Sequence, residues 1–478
     1  MLLFLLLHIY FVSFLDKPEK TAPQLSPRAV AQRAKWHIAT DQMDYPVSTM
    51  YVDSLRRMGV RIHHVSRWFN GATCEMTESQ AAKVKSIRFV TGVETTRDNS
   101  EPRVFFAPWK IRQAAEMPLD GRWTDAQLAL YNLTPLHQAG FEGQGILMTV
   151  CDGAFYNANT LSCFRSMQEL GHFDFTDDTD DFYGTTGTHG TECLSTISGI
   201  NNGYYGAATR SDYYLMRTEE NDTESPKEMD NLVAAFEKAD SLGVNVFSVS
   251  LGYGRFDNYD WDLDSSTELN GRSTRVSRAA TIAARKGMLV CVAAGNEGDG
   301  AWRTISAPAD ADSILTVGAV TTDSIIGSFS SYGPTSDGRV KPEVCANGVR
   351  TTLIAPSGTT VNYNGTSFAT PLIAGLASCL WSALPNENAM QIRERIIRSA
   401  HLYPSYDPQH QAGYGIPNAW TAYTMSLPAE VEKVQSDKVQ GTKVLRNGQI
   451  YILVGDKMYN MMGEPLPTSP QGRRIGDW

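Results

Sequence analysis

The sequence predicts an α/β protein with a doubly wound, mostly parallel sheet, a small α+β sandwich domain before it and a short β-rich tail after it. From about residue 130, short apolar runs alternate with amphipathic helical segments, a pattern typical of βαβ units. The runs are apolar almost throughout, as in parallel strands covered by helices on both faces. Strands are predicted at residues 146–151, 213–216, 244–250, 288–293 and 314–320, and helices at 191–198, 229–242 and 277–286.

Periodicity and composition divide the chain into segments. Residues 9–97 predict the small domain, with strands at 10–15, 60–76 and 90–94 and helices at 26–34, 47–58 and 79–87. Polar residues 98–126 predict a linker, residues 127–427 the large α/β domain and residues 443–478 the tail. Residues 1–8 resemble the apolar part of a truncated signal segment; alternatively residues 9–15 form the first strand of a folded domain, and both interpretations hold if the start is truncated.

Composition excludes several functions for this chain of 478 residues. Its formal net charge of −10 and its lack of clustered Lys and Arg oppose nucleic-acid binding. The N-terminal apolar run is shorter than the roughly 20 residues that cross a bilayer, so no stable membrane insertion is expected. The seven cysteines are scattered, without a CxxC or a Cys/His cluster. They predict buried free thiols and neither a disulfide framework nor a metal site.

Three segments carry residues suited to nucleophilic catalysis. Asp152 ends a buried apolar run, His189 opens a helix rich in small residues, and Ser367 lies in the segment Asn-Gly-Thr-Ser-Phe-Ala-Thr-Pro. Taken singly, each has a structural interpretation: a turn former, a helix-start histidine and an N-cap. Pro371 is expected in the first turn of the helix that begins near Ser367. The order Asp, His, Ser on a parallel scaffold favours catalysis.

Together these segments resemble the motifs of the subtilisin-like serine peptidases. Asn296, in Val-Ala-Ala-Gly-Asn-Glu-Gly, matches the family's oxyanion motif, and residues 329–334 with 337–342 are also similar to the family's pattern. The resemblance covers residues 127–425. It implies a subtilisin-type fold and a serine endopeptidase that acts on polypeptides and requires no cofactor.

The resemblance also implies a role for each matched residue. Ser367 would be the nucleophile, His189 the general base and Asp152 the group that orients the imidazole. Asn296 and the backbone N–H of Ser367 would stabilise the oxyanion. The Ser-Leu-Gly segment at 250–252 would bind the substrate backbone; its residues are Ser250, Leu251 and Gly252.

Two positions depart from the family pattern. Gly153 follows Asp152 where Ser or Thr is usual, and we expect it to provide a sharp turn. Glu192 stands three residues after His189 and could face the site or solvent. The family often binds structural calcium, and the acidic residues before His189 could serve, although a solvated surface run is the simpler interpretation. These residues are Asp174, Asp177, Asp178, Asp180 and Asp181.

The flanking segments resemble parts of exported bacterial peptidases. Residues 9–97 are similar to a propeptide domain that caps the active site until it is cut away within 98–126; the alternative is an accessory domain that is never removed. Residues 443–478 are similar to C-terminal secretion tails, and a simple β-hairpin appendage is the alternative. The resemblance therefore implies a secreted or cell-surface bacterial protein whose own N-terminal domain is its inhibitor.

Two alternative functions compete with the peptidase interpretation. One is a catalytically inactive, peptide-binding relative, in which Glu192 and the altered Asp152 loop mark lost activity. The other is an esterase, but a lipase-like elbow needs GxSxG and the order Ser, Asp/Glu, His, neither of which this chain has.

Overall fold

The computed structural model describes most of the small domain, the large α/β domain and part of the tail. The described residues are 7–19, 21–95, 124–176, 181–185, 187–220, 224–256 and 262–427, together with the backbone of 442–446, 449–454 and 457–459. Most of the predicted linker lies outside them, as do residues 1–6 and three residues of the acidic run, Asp177, Asp178 and Asp180.

The predicted small N-terminal α+β domain is a four-stranded antiparallel sheet with three α-helices. Its sheet has the order β2-β3-β1-β4, so the strand that starts the domain lies between β3 and the last strand. The elements are β1 (His8–Phe14), α1 (Pro27–Lys35), α2 (Thr49–Arg57), β2 (Arg61–Ser66), β3 (Gly71–Met76), α3 (Glu78–Lys85) and β4 (Val90–Thr95).

Local capping chemistry sets where these helices begin. The Ser26 hydroxyl accepts from the Ala29 N–H, with Pro27 at the first helical position, so the predicted start of this helix at residue 26 is confirmed. Thr77 and Gln80 form a capping box at the start of α3. These side chains satisfy backbone donors that a helix leaves without partners.

A seven-stranded parallel sheet forms the centre of the large domain, in the order β13-β12-β11-β10-β5-β9-β6. From β5 the chain runs to the edge strand β6, comes back to β9 beside β5, and then crosses to β10 on the other side of β5. The carboxyl end of β5 therefore lies at the switch point, where open α/β sheets place their ligand crevice. The seven strands of this sheet are β5 (Leu147–Asp152), β6 (Gln168–Asp174), β9 (Asp212–Arg217), β10 (Val246–Val249), β11 (Leu289–Ala293), β12 (Leu315–Val320) and β13 (Val344–Asn347). The other strands of the domain are β7 (Ile200–Asn201), β8 (Tyr204–Tyr205), β14 (Thr351–Ile354) and β15 (Thr360–Tyr363).

Helices cover both faces of this sheet, which explains why its central strands are apolar throughout. One buried core lies between the sheet and α9, and a second lies between the sheet and α7 with α8. Gly375 allows α9 to approach closely, because a Cβ there would lie 2.5 Å from the Ala207 Cβ. The helices are α4 (Asp125–Ala129), α5 (Thr134–Gln138), α6 (His189–Ser198), α7 (Pro226–Leu242), α8 (Arg275–Arg285), α9 (Thr366–Ala383), α10 (Ala389–Arg398) and α11 (Ala419–Thr424).

The N-terminal domain packs on α7 through buried polar contacts. Arg33 and Arg67 each donate to the Asp240 carboxylate at 2.6 Å. His64 Nε2 lies 2.6 Å from the Asn231 Oδ1. Both arginines are almost fully buried, so the contact replaces water with paired charges and does not simply join two apolar faces.

Two further features complete the architecture. The tail forms a three-stranded antiparallel sheet of β16 (Thr442–Arg446), β17 (Gln449–Val454) and β18 (Lys457–Tyr459), which agrees with its predicted β character. Among the described residues, α9 is long and apolar enough to cross a membrane. Its most apolar stretch is 89% buried, as in the core helix of a globular domain.

Candidate active site

Asp152 and His189 meet at the carboxyl end of the sheet. Asp152 is the last residue of β5 and is fully buried, and His189 is the first residue of α6. The His189 Nδ1 lies 2.7 Å from the Asp152 Oδ1. Gly190 makes this approach feasible, because a Cβ there would lie 2.9 Å from the Asp152 Cβ and 2.5 Å from the Ala154 carbonyl oxygen.

Ser367 is the second residue of α9, so its backbone N–H lies in the first turn, among donors that have no helical acceptor. Its hydroxyl donates to the Ser250 carbonyl at 3.3 Å, and the Ser250 hydroxyl donates to the Ser367 carbonyl at 2.8 Å. Pro371 is the sixth residue of the helix and lies inside it. The expectation that this proline belongs to the first turn is therefore wrong.

Cys193 connects the His189 side chain with the Ser367 backbone. It lies one helical turn after His189 on α6, with its Sγ 3.8 Å from the His189 Nδ1 and 3.4 Å from the Ser367 carbonyl oxygen. The Phe368 ring centroid lies 5.6 Å from that of His189. Asp152, His189 and Ser367, predicted from three distant segments, are thus brought to one place.

Asn296 follows β11 and borders the start of α9. Its Oδ1 accepts from the Thr366 N–H at 2.8 Å and from the Thr366 hydroxyl at 3.0 Å. Because two donors hold the oxygen, the amide nitrogen is directed away from Thr366. The Asn296 side chain therefore presents an N–H donor beside the first turn of α9.

The predicted substrate-binding residues follow β10 directly. Ser250 and Leu251 are each 2% exposed, and the Leu251 side chain belongs to the core formed with α7 and α8. A Cβ on Gly252 would lie 3.1 Å from the Ser306 Cβ. The side chains of Ser250 and Leu251 are therefore buried, and pairing of this segment's backbone with an extended peptide stays a prediction.

The structure defines the arrangement of the two departing positions. Gly153 lies at a bend directly after β5, which agrees with the expected sharp turn. Gly153 does not adopt a left-handed φ; its N–H donates to the Asp152 Oδ1 at 2.8 Å and its carbonyl accepts from Arg217 at 2.8 Å. Glu192 is 1% exposed and accepts from the Thr188 hydroxyl at 2.8 Å. Glu192 therefore does not face solvent, which was one of its two expected positions.

Two groups in the described part of the chain offer ligand atoms within 4.8 Å of one another: Asp152 with His189 and Cys193, and Glu219 with Glu224 and Glu228. Burial raises the pKa of Cys193 well above its usual value, which keeps the thiol protonated and unsuited to a metal. Carboxylate oxygens suit calcium, so the three glutamates are the better donor set.

The acidic loop before His189 offers less to a metal than its sequence suggests. Asp174 pairs with Arg217 at 2.9 Å, and Asp181 accepts from the Gly184 N–H at 2.9 Å. Asp177, Asp178 and Asp180 are outside the described residues. The two described carboxylates are thus engaged by local partners.

Sequence analysis missed Cys193 and Thr366 as parts of the site. Cys193 stands four residues after His189, the spacing that places two side chains on one helix face. Thr366 directly precedes Ser367. Ser195, a further serine on α6, is engaged elsewhere: its hydroxyl donates to the Glu192 carbonyl and accepts from the Ile354 N–H.

Comparisons with known proteins agree with this geometry. Residues 143–419 match the subtilase family of S8 peptidases, and residues 9–105 match the S8 peptidase propeptide domain of Bacteroidota. Subtilisin NAT of Bacillus subtilis subsp. natto is 30% identical over 268 residues, which cover 55% of this chain and 63% of that protein. Subtilisin of Bacillus pumilus is also 30% identical over 268 residues, which cover 55% of this chain and 87% of that protein.

A solved structure supports the fold. The crystal structure of MycP1 from the ESX-1 type VII secretion system superposes with a TM-score of 0.52 at 20% identity, covering 68% of this chain and 95% of that chain. The ordered strands, the positions of Asp152, His189 and Ser367, and the family match over more than half of the sequence lead to one conclusion. The chain belongs to the subtilase family.

Proposed function

We propose that the protein is a serine endopeptidase with Ser367 as nucleophile, His189 as general base and Asp152 as its orienting carboxylate. The 2.7 Å contact between His189 Nδ1 and the buried Asp152 carboxylate is the observation that carries the proposal. It fixes the imidazole tautomer that leaves Nε2 available to accept a proton. The Cys193 sulfur contacts both the His189 imidazole and the Ser367 carbonyl oxygen.

The reaction follows from these positions. The Ser367 hydroxyl turns from the Ser250 carbonyl toward the substrate, its oxygen attacks the peptide carbonyl carbon and its proton passes to His189 Nε2. Collapse of the intermediate breaks the C–N bond, and His189 gives that proton to the departing amine. A water then attacks the acyl group, His189 accepts its proton, and the proton returns to Ser367 as the ester breaks.

Negative charge on the former carbonyl oxygen meets donors from two elements. These are the Asn296 amide, held by Thr366, and the Ser367 backbone N–H at the start of α9. Both are set before the reaction, so they stabilise the transition state without reorganisation. The positive end of the α9 dipole adds modest support. All the groups for hydrolysis come from the chain itself, so we propose that catalysis requires no cofactor.

The N-terminal domain is proposed to be an intramolecular inhibitor that is cut away within residues 98–126. Its propeptide match and its buried contacts with α7 support this role. Polypeptide substrates and a bacterial, exported setting follow from the same relatives. A secretion role for the C-terminal sheet stays a prediction, and so does structural calcium, for which Glu219, Glu224 and Glu228 are the better donor set among the described residues.

Active-site labelling tests the nucleophile. A fluorophosphonate should add its mass to the wild type at Ser367, with no addition to Ser367→Ala. Ser195→Ala is the matched control, and it should label as the wild type does. If Ser367→Ala and the wild type label equally, the assignment is wrong; if the folded wild type never labels after removal of its N-terminal domain, the inactive peptide-binding alternative replaces it.

A further inference from the structure

We propose that Ser250 is a positioning residue for the nucleophile: its hydroxyl replaces the helical hydrogen bond that Pro371 denies to the Ser367 carbonyl. The proposal deepens the proposed function and rests on it. It assigns the Ser250 side chain a task in the orientation of Ser367, separate from the expected contact of the Ser250 backbone with substrate.

The need for a replacement donor follows from helix geometry. In an α-helix, the carbonyl of one residue accepts from the N–H four residues later. For Ser367 that residue is Pro371, which has no N–H. Ser367 is 2% exposed, and a buried carbonyl without a partner is costly. The first turn of α9 therefore needs a donor from outside the helix.

Ser250 and Cys193 provide that donor. The Ser250 hydroxyl lies 2.8 Å from the Ser367 carbonyl oxygen, whereas the Cys193 sulfur lies 3.4 Å from it. A thiol is a weak donor, and burial raises the pKa of Cys193 so that its proton stays in place. Ser250 thus makes the stronger of the two bonds.

Because of its position in the sheet, Ser250 aligns Ser367 with Asp152 through this bond. Ser250 directly follows β10, and Val249 is paired with Cys151 on β5, so Ser250 lies beside Asp152 at the end of the sheet. The strand that carries Asp152 and the helix that carries Ser367 are thus joined through one residue. A misplacement of about 1 Å can cost roughly a hundredfold in rate, so such a link matters to catalysis.

The two serines also hold each other reciprocally. The Ser367 hydroxyl donates to the Ser250 carbonyl at 3.3 Å, the reverse of the bond that Ser250 donates. The backbone bond can persist while the Ser367 hydroxyl turns toward the substrate. Loss of the Ser250 hydroxyl should therefore slow the chemical step and leave substrate binding nearly intact.

The test is a rescue at Pro371. Ser250→Ala should lower kcat and the rate of fluorophosphonate labelling by about ten- to a hundredfold, with KM within about twofold of wild type. Adding Pro371→Ala restores an N–H four residues after Ser367 and should recover most of both rates. Ser250→Thr, which keeps a hydroxyl, should stay within about fivefold of wild type, and Ser248→Ala on β10 should behave as wild type.

The outcomes distinguish failure of the Ser250 proposal from failure of the endopeptidase assignment. An unchanged kcat in Ser250→Ala would overturn the proposal, as would a KM effect without a kcat effect, or a double variant that is folded but as slow as Ser250→Ala. If Ser250→Ala does not fold, the double variant decides: recovered folding with near wild-type rates supports the proposal, and recovered folding without them opposes it. An active wild type with these negative results would leave the endopeptidase assignment standing, whereas a wild type that neither cleaves nor labels refutes both.

Discussion

The His189 imidazole donates from Nδ1 to the buried Asp152 carboxylate across 2.7 Å, and this contact joins the first residue of α6 to the last residue of β5. The strand end holds the buried carboxylate and the helix start holds the imidazole. The sheet topology places both at the switch point.

Asp152→Asn should reduce kcat by about 10⁴ at neutral pH, because the amide no longer holds the imidazole in the tautomer that accepts the Ser367 proton. The fold should persist, since the substitution keeps the side-chain shape. Initial rates on a fluorogenic peptide and circular dichroism measure the two effects. A kcat within tenfold of wild type in a folded variant would show that this carboxylate does not orient the base.

Asn296→Ala should lower kcat by about 10²–10³ with little change in KM, the loss associated with removal of one oxyanion donor in subtilisin itself. Thr366→Val keeps Asn296 but removes the hydroxyl that holds its Oδ1 at 3.0 Å. We expect it to cost about tenfold or less, in line with one hydrogen bond. Should Asn296→Ala raise KM alone, the amide binds substrate in the ground state.

Arg67→Ala should weaken the contact of the N-terminal domain with α7 by about 2–5 kcal/mol, the usual cost of truncating a buried charge pair. Arg67 donates to the Asp240 carboxylate, the Glu237 carbonyl and the Ser241 hydroxyl. In a Ser367→Ala background, limited trypsin treatment should remove the domain faster. Arg56→Ala, at a mostly exposed arginine that pairs with Asp53, is the control. Equal rates for the two variants would contradict the interface.

The cleaved N-terminal domain should dissociate more readily as pH falls below about 6.5. Burial lowers the pKa of His64 in the complex, and the released imidazole regains its usual value near 6.5. Above that pH both forms are neutral and the affinity is full. Below it the released form binds a proton that the complex excludes, so affinity falls by at most about tenfold per pH unit until the lowered pKa is reached.

His64→Gln is the control for this dependence, because it keeps a donor for the Asn231 Oδ1 but does not titrate. Dissociation rates of the cleaved complex between pH 7.5 and 5.5 provide the measurement. The variant should flatten the curve; a wild-type curve that is already flat would show that His64 does not control release.

The central strands, and the places of Asp152, His189 and Ser367 in the fold, could be predicted from the sequence because their signals are local. The strands β5, β9, β10, β11 and β12 are buried on both faces, so their apolar runs needed no partner to be recognised. Asp152, His189 and Ser367 each lie at the junction of an apolar run with a helix or turn. The Asp-His-Ser order then resembled one family closely.

Features that depend on non-local packing did not follow from sequence. The edge strand β6 alternates between exposed and half-buried residues, and β13 has four residues, so neither forms a long apolar run. Pro371 was assigned to the first turn because proline is common there, but the structure has it inside α9, where the Ser367 carbonyl accepts from the Ser250 hydroxyl, 117 positions away in the chain. Glu192 is buried by its surroundings, which its spacing from His189 could not reveal.

The assignment of Ser367 as the nucleophile of an endopeptidase is best tested by a time course of intact mass and peptidase activity. The measurement uses purified full-length protein, with Ser367→Ala beside the wild type. The account predicts that the wild type loses a fragment ending within residues 98–126 and gains activity on casein or a fluorogenic peptide, while the variant stays intact and inactive. If both proteins remain full length and neither cleaves substrate, even after trial proteolysis of the N-terminal domain, the endopeptidase assignment is contradicted.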